Sequence, residues 1–156
     1  MSVAFRRESD EEHLEPKFEL PIPAGPNLVT SRGLRLIDKR IAALEAEVAS
    51  AEDETVIARL QRDLRYWRTR QITAELAPAP SGEKVEFGTR VSILLNGKPK
   101  ALQIVGDDEA DPAAGLISFN APLSRAMMGA EVGDLLPFGG VDDAIEVLEI
   151  EVAEER

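Results

Sequence analysis

Apolar positions change their period twice along this chain. After Thr30, the residues Leu34, Ile37, Ile41, Leu44 and Val48 recur at spacings of three, four, three and four. That is the a/d seam of a helix made to pack against another helix. Thr30 is a good N-cap, so the pattern predicts a helix running to about Ser50. The polar stretch Ala51-Glu52-Asp53-Glu54 breaks the seam, with Ser50 or Asp53 placed to cap a second helix. The seam resumes at Ile57, Leu60, Leu64 and Trp67. Two seams joined by a few polar residues predict an antiparallel helical hairpin in which Trp67 packs inward.

Ala77-Pro78-Ala79-Pro80-Ser81-Gly82 reads as a linker, and beyond it the period becomes that of strands. Val91–Leu95 and Ala101–Val105 flank Asn96-Gly97, the strongest short hairpin signal. Leu102–Val105 and Leu116–Phe119 are strand-length apolar runs, and between them lies a loop carrying Asp107, Asp108, Glu109 and Asp111. Asn120 or Ala121 can then cap a short helix with Pro122 in its first turn and Gly129 at its end. Leu123, Ala126 and Met127 are expected to plug the sheet from that helix. Gly139-Gly140 marks a turn, and the last strand, Ala144 to Val152, slips its alternation once near Val147-Leu148, where a bulge is expected. The fold class expected is α+β: an N-terminal helical hairpin, then a β domain with one short helix. The expected boundaries are a flexible arm at 1–26, the hairpin at 27–77, a linker at 78–83 and the second domain at 84–153.

Charge sharpens this division. Residues 1–27 carry 3 basic and 6 acidic side chains, residues 28–77 carry 9 and 8, and residues 78–156 carry 6 and 15. The net of −11 speaks against generic duplex binding, which neutralises phosphates with basic surface. With the acid gathered in the C-terminal half, a basic protein surface is the better partner; acidity also simply promotes solubility. Arg59, Arg62, Arg65 and Arg68 follow by threes and wind around the second helix, either pairing with Glu45, Glu47 and Asp63 or meeting acidic protein or RNA phosphate. There is no cysteine, which removes disulfides and thiolate metal sites, and the single histidine, His13, lies in a polar stretch. No run has the length of a membrane span and no secretory leader is evident, so a cytoplasmic location is expected. The arm holds four prolines and many acids but little apolar surface to offset ordering.

The strand, acidic loop and strand followed by Ala121-Pro122-Leu123-Ser124-Arg125-Ala126, with Gly129, Gly133 and Asp134 beyond, resemble the C-terminal domain of the GreA/GreB transcript-cleavage factors. Val85-Glu86-Phe87-Gly88-Thr89-Arg90-Val91 is similar to that domain's opening strand, and the likeness covers about residues 83 to 153. It implies an FKBP-like fold, an antiparallel sheet wrapped around one short helix, and docking on RNA polymerase at the mouth of the secondary channel. The family's docking surface falls here on Asp107, Asp108, Glu109, Asp111, Ser118, Pro122 and Leu123. Leu28-Val29-Thr30-Ser31-Arg32-Gly33-Leu34 resembles the start of the family's coiled coil.

In that family, acids at the hairpin tip reach the polymerase's active-site Mg²⁺ and help hold a second metal and the attacking water. By resemblance this role would fall on Glu52, Asp53 and Glu54, with no cofactor of the protein's own and with contact to RNA in the channel. The tip here is shorter than the family's, and acids at a helix N-terminus are also stabilised by the helix dipole. The resemblance implies a factor that is not itself an enzyme, without sequence-specific DNA binding or a membrane role. It either stimulates transcript cleavage or modulates elongation by occupying the channel. A regulator of nucleoside diphosphate kinase, a related form with a short coiled coil, is one alternative. A prolyl isomerase is another, though it needs an aromatic-lined pocket, and the second domain offers only Phe87, Phe119 and Phe138. A third is an adaptor dimerising through the hairpin.

Overall fold

The computed structural model describes residues 19–153; most of the expected arm, including His13 and Phe18, lies outside them. The described residues form two compact units, one of 19–25 with Ile37–Thr73 and one of Pro26–Leu36 with 74–153. The second therefore takes in the start of the first helix, which the expected boundaries at 27 and 77 gave to the hairpin.

In the helical unit, α1 spans Ser31–Ser50 and α2 Glu54–Thr73. Their seam residues are the buried ones: Ile37, Ile41, Leu44, Leu60 and Leu64. Gln71 Nε2 donates to Asp38 Oδ1 at 2.8 Å and Arg68 pairs with Glu45 at 2.9 Å. Partners that converge in number along the two helices mean that the helices run antiparallel, as the paired seams require. Trp67 is half-buried, its ring set edge-on to Tyr66 at 5.2 Å. The buried charge of this unit is Arg70, 2% exposed, at a position the seam did not single out.

The second unit is built on five strands in the order β5-β4-β3-β7-β6, with β3 Thr89–Leu95, β4 Lys98–Val105, β5 Leu116–Ser118, β6 Leu135–Phe138 and β7 Val141–Val152. Asn96 and Gly97 take φ of 50° and 82°, the left-handed pair that the two-residue turn between β3 and β4 demands. Opposite Ser92 and Ile93 stand Glu149 and Val147, so Leu148 is the extra residue of the expected bulge. Val91, Ile93, Leu102, Ile104, Ile117, Ile145 and Val147 make the inner face, and α3, Pro122–Met127, presses Met127 into it. Phe87, Phe119 and Phe138 pack against the same cluster.

Besides the unexpected strand β6, three features depart from the expectations. The sheet is not wholly antiparallel: β5 runs parallel to β4, pairing Gln103 with Leu116 and Val105 with Ser118. The intervening loop folds back through a 3-10 turn at Pro112–Ala114 and Gly115 at φ 80°, so the chain re-enters beside β4 in the same direction. Residues 85–88 are not strand; Val85 is fully buried and bonds the end of α3 instead, its N–H reaching Ala130 O and its carbonyl accepting from Gly129 N–H. A two-stranded parallel ladder joins β1, Leu28–Val29, to β2, Glu75–Leu76. Among the described residues no helix is long and apolar enough to cross a membrane.

Candidate docking surface and hairpin tip

The acidic loop leaves β4 at Gly106 and turns at once, Glu109 N–H bonding back to Gly106 O at 3.2 Å. Asp107 is half-buried. Its Oδ1 accepts from the Ser118 hydroxyl, and both its oxygens accept from Asn120 Nδ2 at 3.2–3.3 Å. Ser118 Oγ in turn accepts the Asn120 N–H at 3.0 Å, and Ser118 O accepts the Ser124 hydroxyl at 2.7 Å. Asp107, Ser118 and the entry to α3 are thus stitched into one surface, although ten residues of sequence separate the first two. Asp111 N–H donates to Leu116 O at 2.7 Å, which leaves the Asp111 side chain exposed at the rim. Asp108 is half-buried and Pro122 exposed, while Leu123 is half-buried against the core.

Glu109 behaves differently. Its side chain is 2% exposed and turned inward, accepting from Thr30 Oγ1 at 2.6 Å and from Arg32 Nη1 at 2.8 Å. It sits on the first turn of α1, where Thr30 also caps the helix by accepting the Gly33 N–H at 2.9 Å. A Cβ at Gly33 would lie 2.9 Å from Glu109 Oε1, so this helical glycine is what lets the carboxylate in. Sequence reasoning grouped Glu109 with its acidic neighbours. The signal it passed over was Thr30-x-x-Gly33, read only as a helix start.

The tip belongs to the helical unit. Glu52, Asp53 and Glu54 are all exposed, and Asp53 Oδ1 accepts the Thr55 N–H at 2.8 Å as the N-cap of α2. A cap of this kind contributes about 1 kcal/mol. The donors are hard oxygens, yet among the described residues no three Asp, Glu, His or Cys side chains converge to hold an ion. Of the arginine row, Arg68 pairs with Glu45, Arg62 with Asp63 and Arg65 with Glu19; the pairs of Arg65 and Arg68, each about half exposed, add roughly 0–1 kcal/mol apiece.

Two further features lie outside the expected residues. Leu116, Gln103, Arg90 and Glu151 form one cross-strand row on the face away from the core, flooring a half-open groove of about 940 Å³ that Pro80 and Phe87 help line. On β7, the Glu149 carboxyl is raised from its ordinary value by the hydrogen bond it donates, when protonated, to Glu151, by the negative charge of Glu151, and by desolvation.

Residues 79–152 match the family described as transcription elongation factor, GreA/GreB, C-terminal. Over 76 residues the chain is 46% identical to the transcription elongation factor GreA of Caulobacter vibrioides, covering 46% of this chain and 48% of that one. Over 74 residues it is 42% identical to the GreA of Rhizobium leguminosarum bv. viciae, covering 45% and 47%. The chain spans about half the length of the curated relatives it matches. Among solved structures, GreA factor homolog 1 (Gfh1) of Thermus thermophilus aligns at a TM-score of 0.39 and 17% identity, over 81% of this chain and 99% of that one. A GreA/GreB factor of Nitrosomonas europaea aligns at 0.38 and 17%, over 81% and 98%. Residues 79–152, a little under half of the chain, are thus similar to the C-terminal domain of the GreA/GreB transcription elongation factors.

Proposed function

We propose that this protein is an RNA-polymerase-binding elongation factor, docking through its acidic loop and acting from the secondary channel without being an enzyme itself. The observation that carries the reading is the match of residues 79–152 to the family's C-terminal domain, joined in one chain to an antiparallel helical hairpin with an exposed acidic tip. The docking surface consists of Asp107, Asp108, Asp111, Ser118 and Pro122, whose side chains are exposed or half-buried. Their charge suits a basic patch on the polymerase. None of the three alternatives is favoured by the relatives found. For a prolyl isomerase there is also a physical objection, since Phe119 and Phe138 pack against the core and Phe87 is the one phenylalanine among the groove's lining residues, too few for an aromatic-lined proline pocket.

Transcript cleavage in such a complex is two-metal hydrolysis at the polymerase's own Mg²⁺. Glu52 and Glu54 offer the hard carboxylate oxygens that Mg²⁺ takes, whereas Asp53 is engaged as a cap.

Binding to core polymerase tests the docking. Asp108→Arg with Asp111→Arg is expected to weaken Kd about tenfold at low salt, mostly through a slower on-rate; equal affinity for wild type and variant would remove these acids from the interface. A stalled, backtracked elongation complex tests the tip. With Glu52→Ala/Glu54→Ala, which keeps the Asp53 cap, release of short RNA fragments should fall at least tenfold from the wild-type rate. If wild type releases none, the tip serves occupation of the channel only.

A further inference from the structure

Glu109 stands among acids assigned to docking, yet its carboxylate is sealed against the first turn of α1. We propose that Glu109 is a positioning residue: it clamps the acidic loop to Thr30 and Arg32, and so holds Asp108 and Asp111 in the geometry in which they meet a partner. The proposal rests on the docking reading above and deepens it.

Three observations support the clamp. The carboxylate accepts two short bonds, from a hydroxyl at 2.6 Å and a guanidinium at 2.8 Å, and charge-assisted bonds of this kind are roughly twice as strong as neutral ones. It is 2% exposed, whereas its partner Arg32 is 51% exposed, so the arginine can find water without Glu109 but Glu109 cannot without the arginine. Gly33 leaves the space that the carboxylate occupies, and that glycine's φ is helical, so no turn requires it there. On propensity alone, alanine would serve better in a helix. A glycine at this position costs helix stability and admits Glu109.

The loop is also anchored on either side of Glu109. Asp107 is tied to Ser118 and Asn120 on one side, and the backbone of Asp111 to Leu116 on the other. Asp108 lies directly between the Asp107 and Glu109 attachments. Releasing Glu109 would remove the loop's tie to the first turn of α1 while leaving both ends pinned, so the effect falls on presentation of the acids and not on the sheet.

The clamp is tested with the full chain. Glu109→Ala removes the carboxylate; Gly33→Ala removes no polar group but crowds Oε1 out of its seat. Each should weaken polymerase Kd about tenfold and speed amide exchange of residues 107–110 in the free protein at least tenfold, at temperatures well below unfolding. Glu109→Gln keeps the shape and one acceptor oxygen but sets an amide NH2 toward the other donor, and should recover only part of both. A merely structural glutamate would shift thermal stability without this selective loop exchange or the partial glutamine rescue. If Asp108→Arg with Asp111→Arg weakens binding but Glu109→Ala and Gly33→Ala do not, docking stands and the clamp is wrong. If none of them weakens binding, the docking reading fails, and loop exchange in the free protein still decides whether Glu109 orders the loop. Unchanged exchange in both clamp variants overturns the proposal outright.

Discussion

Gly106→Ala should lower unfolding stability by about 3 kcal/mol, the upper end of what forcing an extra methyl group into a filled site costs. The backbone at Gly106 is not in the left-handed region, so alanine carries no intrinsic strain there; the cost comes from space. A Cβ at this position would be driven into the carbonyl oxygen of Leu28, a backbone atom that cannot swing aside. Leu28 belongs to β1, where Asn27 and Val29 on either side accept from Glu75 N–H at 2.8 Å and Ala77 N–H at 3.1 Å. Pushing β1 away from Gly106 should therefore open that ladder. Urea unfolding reads the stability, and faster amide exchange at Glu75 and Ala77 locates the damage. A loss under about 0.5 kcal/mol, within the range of ordinary surface changes, would mean that β1 does not lie this close to the loop.

Met127→Ala is the second large effect, expected at about 2–5 kcal/mol. Met127 is fully buried among Val91, Ile93, Ile104 and Ile145, and it is the largest buried side chain that the six-residue α3 contributes. A helix this short has almost no stability of its own, so its seat depends on packing, led by Met127 with Leu123 and Ala126 beside it, on the Ser124 bond to Ser118 O, and on the backbone bonds of Val85 at its end. Met128→Ala is the matched control: the side chain next door is 42% exposed, and its loss should stay within about 0.5 kcal/mol. Similar losses for the two variants would contradict the burial of Met127 under the sheet. Because α3 abuts Ser118 and Asn120, Met127→Ala should also weaken polymerase binding.

The seam of alternating threes and fours places α1 to within a residue or two and finds α2, though not its end at Thr73, since the side chains that meet on one helical face are fixed by 3.6 residues per turn. The Asn96-Gly97 turn and the bulge at Leu148 were legible for a similar reason, being written in the φ preference of two residues and in one slip of a two-residue period. The strand of residues 135–138 went unnoticed because Leu135-Leu136-Pro137-Phe138 does not alternate. Its edge position, bonded to β7 alone, is what tolerates a proline.

The candidate site was half legible. Its membership came from wording shared with a family, and the structure does bring Asp107 to Ser118. What each acid does was not in the local sequence, because Asp107, Asp108, Glu109 and Asp111 differ little in type or setting there.

By itself, then, the sequence determined what acts within one turn of helix, one hairpin or one short motif: the two helices, their caps, the Asn-Gly turn, the bulge and the family of the acidic domain. Tertiary structure alone decided the parallel pairing of β5 with β4, the ladder between β1 and β2, the burial of Arg70, and the inward turn of Glu109 to Thr30 and Arg32, 79 and 77 residues away. The physical reason is that burial and partnership depend on which distant segments the closed chain brings together, and a carboxylate has the same chemistry in the sequence whether it ends in water or against a guanidinium.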